Sequence, residues 1–204
     1  PWITFKDVFN IRNPQQHVGT IHSSNLCTEI ALNTSFDEIA VCNLGSVNLV
    51  NHISNGKLDL DKLEKTIKTS IRMLDNVIDL NYYSEEKAKN SNLKHRPIGL
   101  GIMGFQDALY KLKLPYNSEE AVNFADYSME VISYFAIKQS ILLAKERGTY
   151  PSYKGSLWDQ GYLPIDSLEF LKNHRDPQYL NINNDTSGIV DWNELRALLK
   201  TYGI

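Results

Sequence analysis

Residues 23–31 read SSNLCTEIA, and they set a thiol, Cys27, two residues from an amide, Asn25, and two from a carboxylate, Glu29. The only other cysteine in the chain is Cys42. If the segment is extended, residues two apart project to one side. Asn25, Cys27 and Glu29 then share a face. Such a trio can give or take a hydrogen at sulfur, move a proton at the carboxylate and orient a ligand through the amide. A carboxylate next to a thiol works against thiolate formation, so the trio suits hydrogen-atom or proton chemistry better than nucleophilic attack. A cysteine protease would also need a histidine placed to withdraw the proton. For either cysteine the plainer reading, a small buried hydrophobe, stays open at this point.

Working outward, 204 residues at 42% hydrophobic content support one sizeable domain or two small ones. A net charge of −3, from 21 basic and 24 acidic residues, gives no basic excess for a polyanion. Nucleic acid is therefore not expected as a partner, although a single nucleotide in a pocket is compatible. No apolar run approaches the roughly 20 residues that span a bilayer, and the first residues lack the pattern of a secretory signal. A cytoplasmic protein without a membrane partner is the default expectation. Two cysteines do not make a disulfide framework. The absence of an initial Met, and a start inside what reads as a helical turn at Thr4 to Asp7, suggest a segment of a longer chain.

The pattern predicts a short helix before a loop at RNPQQH, then two short strands or a strand and a return segment in EIAVCNL (38–44) and SVNLV (46–50). A strong helix runs from Asp59 to near Leu80, with Leu60, Leu63, Ile67, Ile71, Leu74 and Ile78 at three- and four-residue spacing. NSNLKHRP (90–97) reads as a polar connection with Arg96 extended before its proline. A helix over about Met103–Lys111 follows. The longest spans about Ser118–Arg147, capped by Asn117 or Ser118 and stopped by Gly148. Residues 149–190 read as a loop-rich excursion. A last helix begins at Asp191, with Glu194 as a capping-box partner, and ends at Gly203.

GLGIMG (99–104) matches the G-x-G-x-x-G dinucleotide fingerprint, which needs a buried strand feeding its first glycine. Here the feeder is polar and contains Pro97, so the glycines read instead as close packing of a helix in the core. His17, His22, His52 and His95 have no zinc spacing with each other or with the cysteines. They read mostly as surface or capping groups, and no metal site is expected.

SNLCTEI (24–30), EIAVCNLGSVNL (38–49), RPIGLGIMGFQDAL (96–109) and AKERGTYPSYKGS (144–156) together resemble, in order, the large catalytic subunit of class I ribonucleotide reductases. The resemblance implies an α/β fold: one partial catalytic domain over 1–204, part of a ten-stranded α/β barrel with several long helices and a catalytic finger loop at about 23–31. It implies that Cys27 becomes a thiyl radical that abstracts the ribose 3′-hydrogen. Glu29 takes the 3′-hydroxyl proton, Asn25 orients the substrate, and Leu26 and Thr28 touch it through backbone. Cys42 is one half of a redox pair that closes to a disulfide in each turnover.

No cofactor is expected on this chain. The radical would come from a metal-containing small subunit, electrons from thioredoxin or glutaredoxin, and the full large subunit would be a homodimer. The substrate would be a ribonucleoside diphosphate, reduced for DNA precursor synthesis under allosteric control. The family's second redox cysteine, its specificity site, its C-terminal thiols, its phosphate loop and its paired relay tyrosines have no counterpart here. Tyr82, Tyr83, Tyr150 and Tyr153 are not assigned to that relay. Two other functions stay in view: an assembly fragment that complements other chains, and a nicotinamide-dependent oxidoreductase using Gly99–Gly104.

Overall fold

The computed structural model describes residues 3–180 and 187–204. In chain order the elements are α1 (Lys6–Arg12), β1 (Leu44–Asn48), β2 (Ile53–Ser54), β3 (Lys57–Leu58), α2 (Leu60–Leu80), α3 (Glu86–His95), β4 (Gly99–Met103), α4 (Phe105–Leu112), α5 (Glu119–Arg147), α6 (Ser167–His174) and α7 (Trp192–Tyr202). Turns of 3-10 helix cover Leu49–His52 and Pro177–Tyr179.

The apolar spacing after Asp59 becomes the buried face of α2: Leu63, Ile67, Ile71, Leu74 and Ile78 are all buried, while Lys62, Lys65 and Lys68 are exposed. Asp59 caps the helix by accepting from the Lys62 N–H at 3.0 Å. Ser118 does the same for α5 through the Ala121 N–H at 3.1 Å, and α5 ends at Gly148 with Lys145 and Arg147 in its last turn. The α2 face packs on α5, and with Val47 and Leu49 from the β1 end and Leu109 from α4 it forms the main core. On its other flank α5 packs on α7, where Tyr134, Ile141, Leu163, Leu195 and Leu199 make a second core.

β1 and β4 pair in parallel, from Leu44 opposite Gly99 to Asn48 opposite Met103, and α2 and α3 form part of the connection between them. β2 and β3 make a small hairpin around Asn55-Gly56, both at positive φ. Among the described residues the sheets are these two pairs, and no closed barrel is formed. The architecture is mixed α and β, with helices predominating. No helix among the described residues is long and apolar enough to cross a membrane.

Four expectations change. EIAVCNL contributes only its last residue to a strand, because the Ile39 N–H is taken by the Lys87 carbonyl at 3.2 Å and not by a neighbouring strand. The NSNLKH part of the polar connection is helical, as the second half of α3, and Arg96 is left-handed at its C-cap (φ 45°, ψ 51°) with its N–H on the Asn92 carbonyl at 2.8 Å. The Arg96 guanidinium is gripped by Asp75 and Asp79 of α2, which holds this uncommon backbone in place.

GLGIM is itself a strand, so its glycines pack a sheet and not a helix. Only Gly104, at φ 72°, makes the turn into α4. Glu194 does not close a capping box. Asp191 accepts from the Asn193 and Glu194 N–H groups, but the Glu194 carboxylate bonds the Tyr134 hydroxyl at 2.7 Å and Lys138 at 2.9 Å. The excursion after Gly148 is turns plus α6 and a 3-10 turn; its residues 181–186 lie outside the described residues.

Candidate active site

Residues 13–43 contain neither helix nor strand, and the bonds that fix their backbone come from side chains and tight turns instead of a regular ladder. Asn10 on α1 brackets the buried Ile21, donating to its carbonyl and accepting from its N–H, both at 2.9 Å. The chain then turns. The Thr28 N–H donates to the Asn25 carbonyl at 3.1 Å, and Thr28 sits at φ 66°, which is strained for a β-branched residue.

Across this turn the Asn25 amide donates to Glu29 Oε1 at 2.6 Å, and its Oδ1 accepts from the Ile30 N–H at 3.2 Å. The Ser24 hydroxyl donates to the Ile30 carbonyl at 2.6 Å. Leu26 and Cys27 occupy the two central positions and are exposed. The expected extended face is therefore absent. A turn brings the amide and the carboxylate into direct contact and lifts the thiol to the tip.

Glu29 also lines a cleft of about 440 Å³ between this segment and the β1–β4 pair, and Cys42 lines it too. Ser46, Gly99 and Gly101 supply part of its sheet wall. A Cβ on Gly101 would lie 3.6 Å from the Ser46 hydroxyl, and one on Gly99 only 2.6 Å from the Leu44 side chain. The GLGIM glycines thus keep this wall flat and close; the strand-to-helix turn is left to Gly104 alone, which does not line this cleft. Cys27 is not among the lining residues, so of the two sulfurs the cleft takes only Cys42. Both thiols are free and exposed, neither of them a buried hydrophobe.

Behind the cleft lies a group of side chains that the sequence pattern did not signal. Glu38, 7% exposed, accepts from Lys94 at 2.5 Å and pairs with His95 Nε2 at 2.9 Å, with the Asn33 amide at 3.4 Å. His95 Nδ1 lies 2.7 Å from the Ser152 hydroxyl. Burial pushes the Glu38 carboxyl up, but its hydrogen bonds to Lys94 and His95 and their charges outweigh that and hold it below the ordinary glutamate range. Ser152–His95–Glu38 has the bonding order of a hydrolase triad. The serine is buried, however, with its hydroxyl also near the Lys94 carbonyl at 3.1 Å and Gln15 at 3.4 Å. The group ties the 31–43 segment to α3 and the 150s turn.

Of the four histidines read mostly as surface or capping groups, His17 and His22 are exposed, whereas His52 and His95 are buried and bonded at both ring nitrogens. No cluster of three or more potential metal ligands occurs among the described residues.

Residues 1–204 match the profile of the ribonucleotide reductase barrel domain. The chain is 59% identical over 204 residues to the ribonucleoside-diphosphate reductase subunit alpha of Chlamydia trachomatis, covering all of this chain and 19% of that protein. It is 40% identical over 204 residues to the large chain of the Schizosaccharomyces pombe reductase, covering 23% of it. Identity to the large subunit of the Vaccinia virus enzyme is 38% over 204 residues, 25% of that protein. The chain spans about a fifth to a quarter of the length of these curated relatives.

Proposed function

The chain belongs to the ribonucleotide reductase family, matching its barrel domain, and from that membership we propose that it carries the catalytic turn and one redox thiol of a ribonucleoside-diphosphate reductase large subunit. The β1–β4 pair would be two of the ten strands of the barrel, and the 23–31 turn its finger loop. The observation that supports this most directly is the Asn25–Glu29 hydrogen bond of 2.6 Å beneath an exposed Cys27, beside a cleft shared by Glu29 and Cys42.

In this reading a ribonucleoside diphosphate lies between the turn and the sheet wall. The Cys27 sulfur, as a thiyl radical, takes the hydrogen from ribose C3′ and becomes a thiol, leaving the unpaired electron on carbon. Glu29 accepts the 3′-hydroxyl proton, and Asn25, already on its carboxylate, exchanges part of that contact for the substrate hydroxyls. Leu26 and Thr28 hold the sugar through backbone contacts. The 2′-hydroxyl leaves as water. Two electrons and two protons come from Cys42 and a second thiol outside this chain, which join as a disulfide. Cys27 then returns a hydrogen to C3′, and Glu29 returns its proton to the 3′-oxygen. The radical is supplied by a metal-containing small subunit, and thioredoxin or glutaredoxin reopens the disulfide. The working large subunit would be a homodimer, active in the cytoplasm.

The test is Cys27→Ser in a complete large subunit carrying this segment, assayed with its small subunit on a ribonucleoside diphosphate. Deoxynucleotide formation is expected to vanish while thermal unfolding is nearly unchanged, since the substitution removes the radical site and little volume. Deoxynucleotide production at the wild-type rate would overturn the proposal.

A further inference from the structure

Cys42 faces the cleft, but what aims it lies on the other side of the chain. The next residue, Asn43, turns inward and is 6% exposed. Its amide donates to the Pro97 carbonyl at 2.9 Å, and it exchanges a reciprocal pair of contacts with the Asn92 amide, each at 3.4 Å. Asn92, on α3, is completely buried. Its Nδ2 also donates to the Tyr83 hydroxyl at 3.0 Å, which in turn donates to the Ile78 carbonyl at 2.7 Å. The Asn43 carbonyl accepts from the Gly99 N–H at 2.9 Å, extending the contact between the two parallel strands one step beyond Leu44. A continuous polar chain therefore runs from the C-terminal part of α2 through Tyr83, Asn92 and Asn43 to the residues leading into β4. Neither Asn92 nor Tyr83 lines the cleft.

We infer that Asn92 is a positioning residue for the Cys42 thiol, acting through Asn43. In extended backbone, successive side chains point to opposite faces. If the Asn43 amide is held inward, the Cys42 sulfur is held outward toward the cleft. Rotation of this segment by one residue would bury the thiol, expose the Asn43 amide and take from the buried Asn92 side-chain oxygen and the Pro97 carbonyl the donor they share, which is disfavoured. Asn43 also borders the cleft, but with its amide taken by Pro97 and Asn92 the exposed Cys42 is the neighbour left available to a ligand there, with no contact between Asn92 and the ligand itself. Cys27 sits on the separate 25–28 turn and does not share this chain of bonds, so the two sulfurs are aimed independently.

The inference rests on the proposed role of Cys42 as reductant, and the readout is the partition of product in a complete large subunit carrying this segment, with its small subunit. Hydrogen abstraction belongs to Cys27, whereas an ill-placed Cys42 slows only the later reduction and lets the substrate radical decompose with release of free base. Asn92→Leu is expected to raise the ratio of free base to deoxynucleotide by about fivefold or more, within what a misplacement of order 1 Å can cost. The sum of free base and deoxynucleotide formed, which counts completed hydrogen abstractions by either route, should stay within about twofold of wild type.

Tyr83→Phe keeps the ring, removes the hydroxyl that holds Asn92, and should raise the ratio in the same direction by about twofold. General destabilisation would lower both products together and leave the ratio fixed. An unchanged ratio in folded Asn92→Leu overturns the inference, and if that variant does not fold, an unchanged ratio in Tyr83→Phe does so. Failure of the underlying functional reading is seen separately, as a wild-type protein that forms no deoxynucleotide or a Cys27→Ser variant that does.

Discussion

Replacing Glu38 with Gln keeps the shape of the side chain and removes its charge, at the point where the segment leading to Cys42 is fastened to α3. Lys94 is about half exposed (48%) and can turn to water, so its loss as a partner is worth only about 0.5 kcal/mol. The bond to His95 is different, because both side chains are under 10% exposed. Weakening a buried hydrogen bond to a charged group costs about 1.5–3 kcal/mol, and the 3.4 Å contact from Asn33 adds little. The sum is about 2–3.5 kcal/mol, or a fall in Tm of about 4–14 °C for a chain of this size.

The pH dependence has a definite sign. Lys94 and His95 hold the Glu38 carboxyl below its ordinary range despite burial. Its contribution is therefore full above the unfolded-state pKa and is lost as the pH falls through the lower folded-state value. Thermal unfolding followed by circular dichroism should show the full difference between wild type and Glu38→Gln at about pH 7, shrinking as the pH is taken below the ordinary glutamate range. A difference that is absent at neutral pH, or that grows on acidification, would refute the reasoning.

Glu29→Gln in a complete large subunit retains the contact with Asn25 but removes the proton acceptor, so turnover should fall by about 10²- to 10⁴-fold; a rate within about threefold of wild type removes Glu29 from that role. Gly104→Ala places a Cβ 2.8 Å from Asn48 Oδ1 at a φ of 72°, and a loss of about 1–3 kcal/mol is expected by denaturant unfolding. An unchanged unfolding midpoint would show that the strand-to-helix turn does not need glycine. Since Cys27 and Cys42 are both free and exposed, a thiol reagent should titrate two groups per chain without denaturant. A stoichiometric Cys27–Cys42 disulfide in freshly purified protein would contradict the separate roles given to them.

Helices whose buried face is apolar were legible. In α2 the leucines and isoleucines at three- and four-residue spacing are the ones that end up buried, and Asp59 and Ser118 cap where their side-chain chemistry says they should. The helix α3 was not legible, for the complementary reason. Its buried residues Ala88, Ser91, Asn92 and His95 keep helical spacing but are small or polar, so hydrophobic periodicity is blind to them. Only Glu85 and Glu86 at one end and Lys94 and His95 at the other gave a hint, through the helix dipole. Asn25, Cys27, Glu29 and Cys42 were singled out by their chemistry and by resemblance, but their geometry could not be read from the sequence. Nothing in NLCTE announces that a threonine will take φ 66° at the end of a turn closed by the Asn25 carbonyl, and so the extended face is lost.

The polar face of α3 and the missing regular structure of residues 13–43 have one cause. A segment that puts a thiol at an exposed tip and a carboxylate at a cleft buries no apolar stripe there, and without a strand partner it has no ladder to hold it. Its backbone must be fixed by side chains. Asn10 brackets Ile21, Asn25 spans its own turn, Glu38 reaches Lys94 and His95, and Asn43 reaches Asn92. Each anchor is directional in a way that apolar packing is not, so each fixes the rotation of the chain as well as its place. For α3 to receive two of these anchors, its inner face must offer hydrogen-bonding groups, which is what His95 and Asn92 do. Three residues apart on the helix, they meet Glu38 and Asn43, which bracket Cys42. Polar recognition of a loop by a helix thus takes over the work that a hydrophobic core does elsewhere in the chain, and it does so where two neighbouring side chains must be kept facing opposite ways.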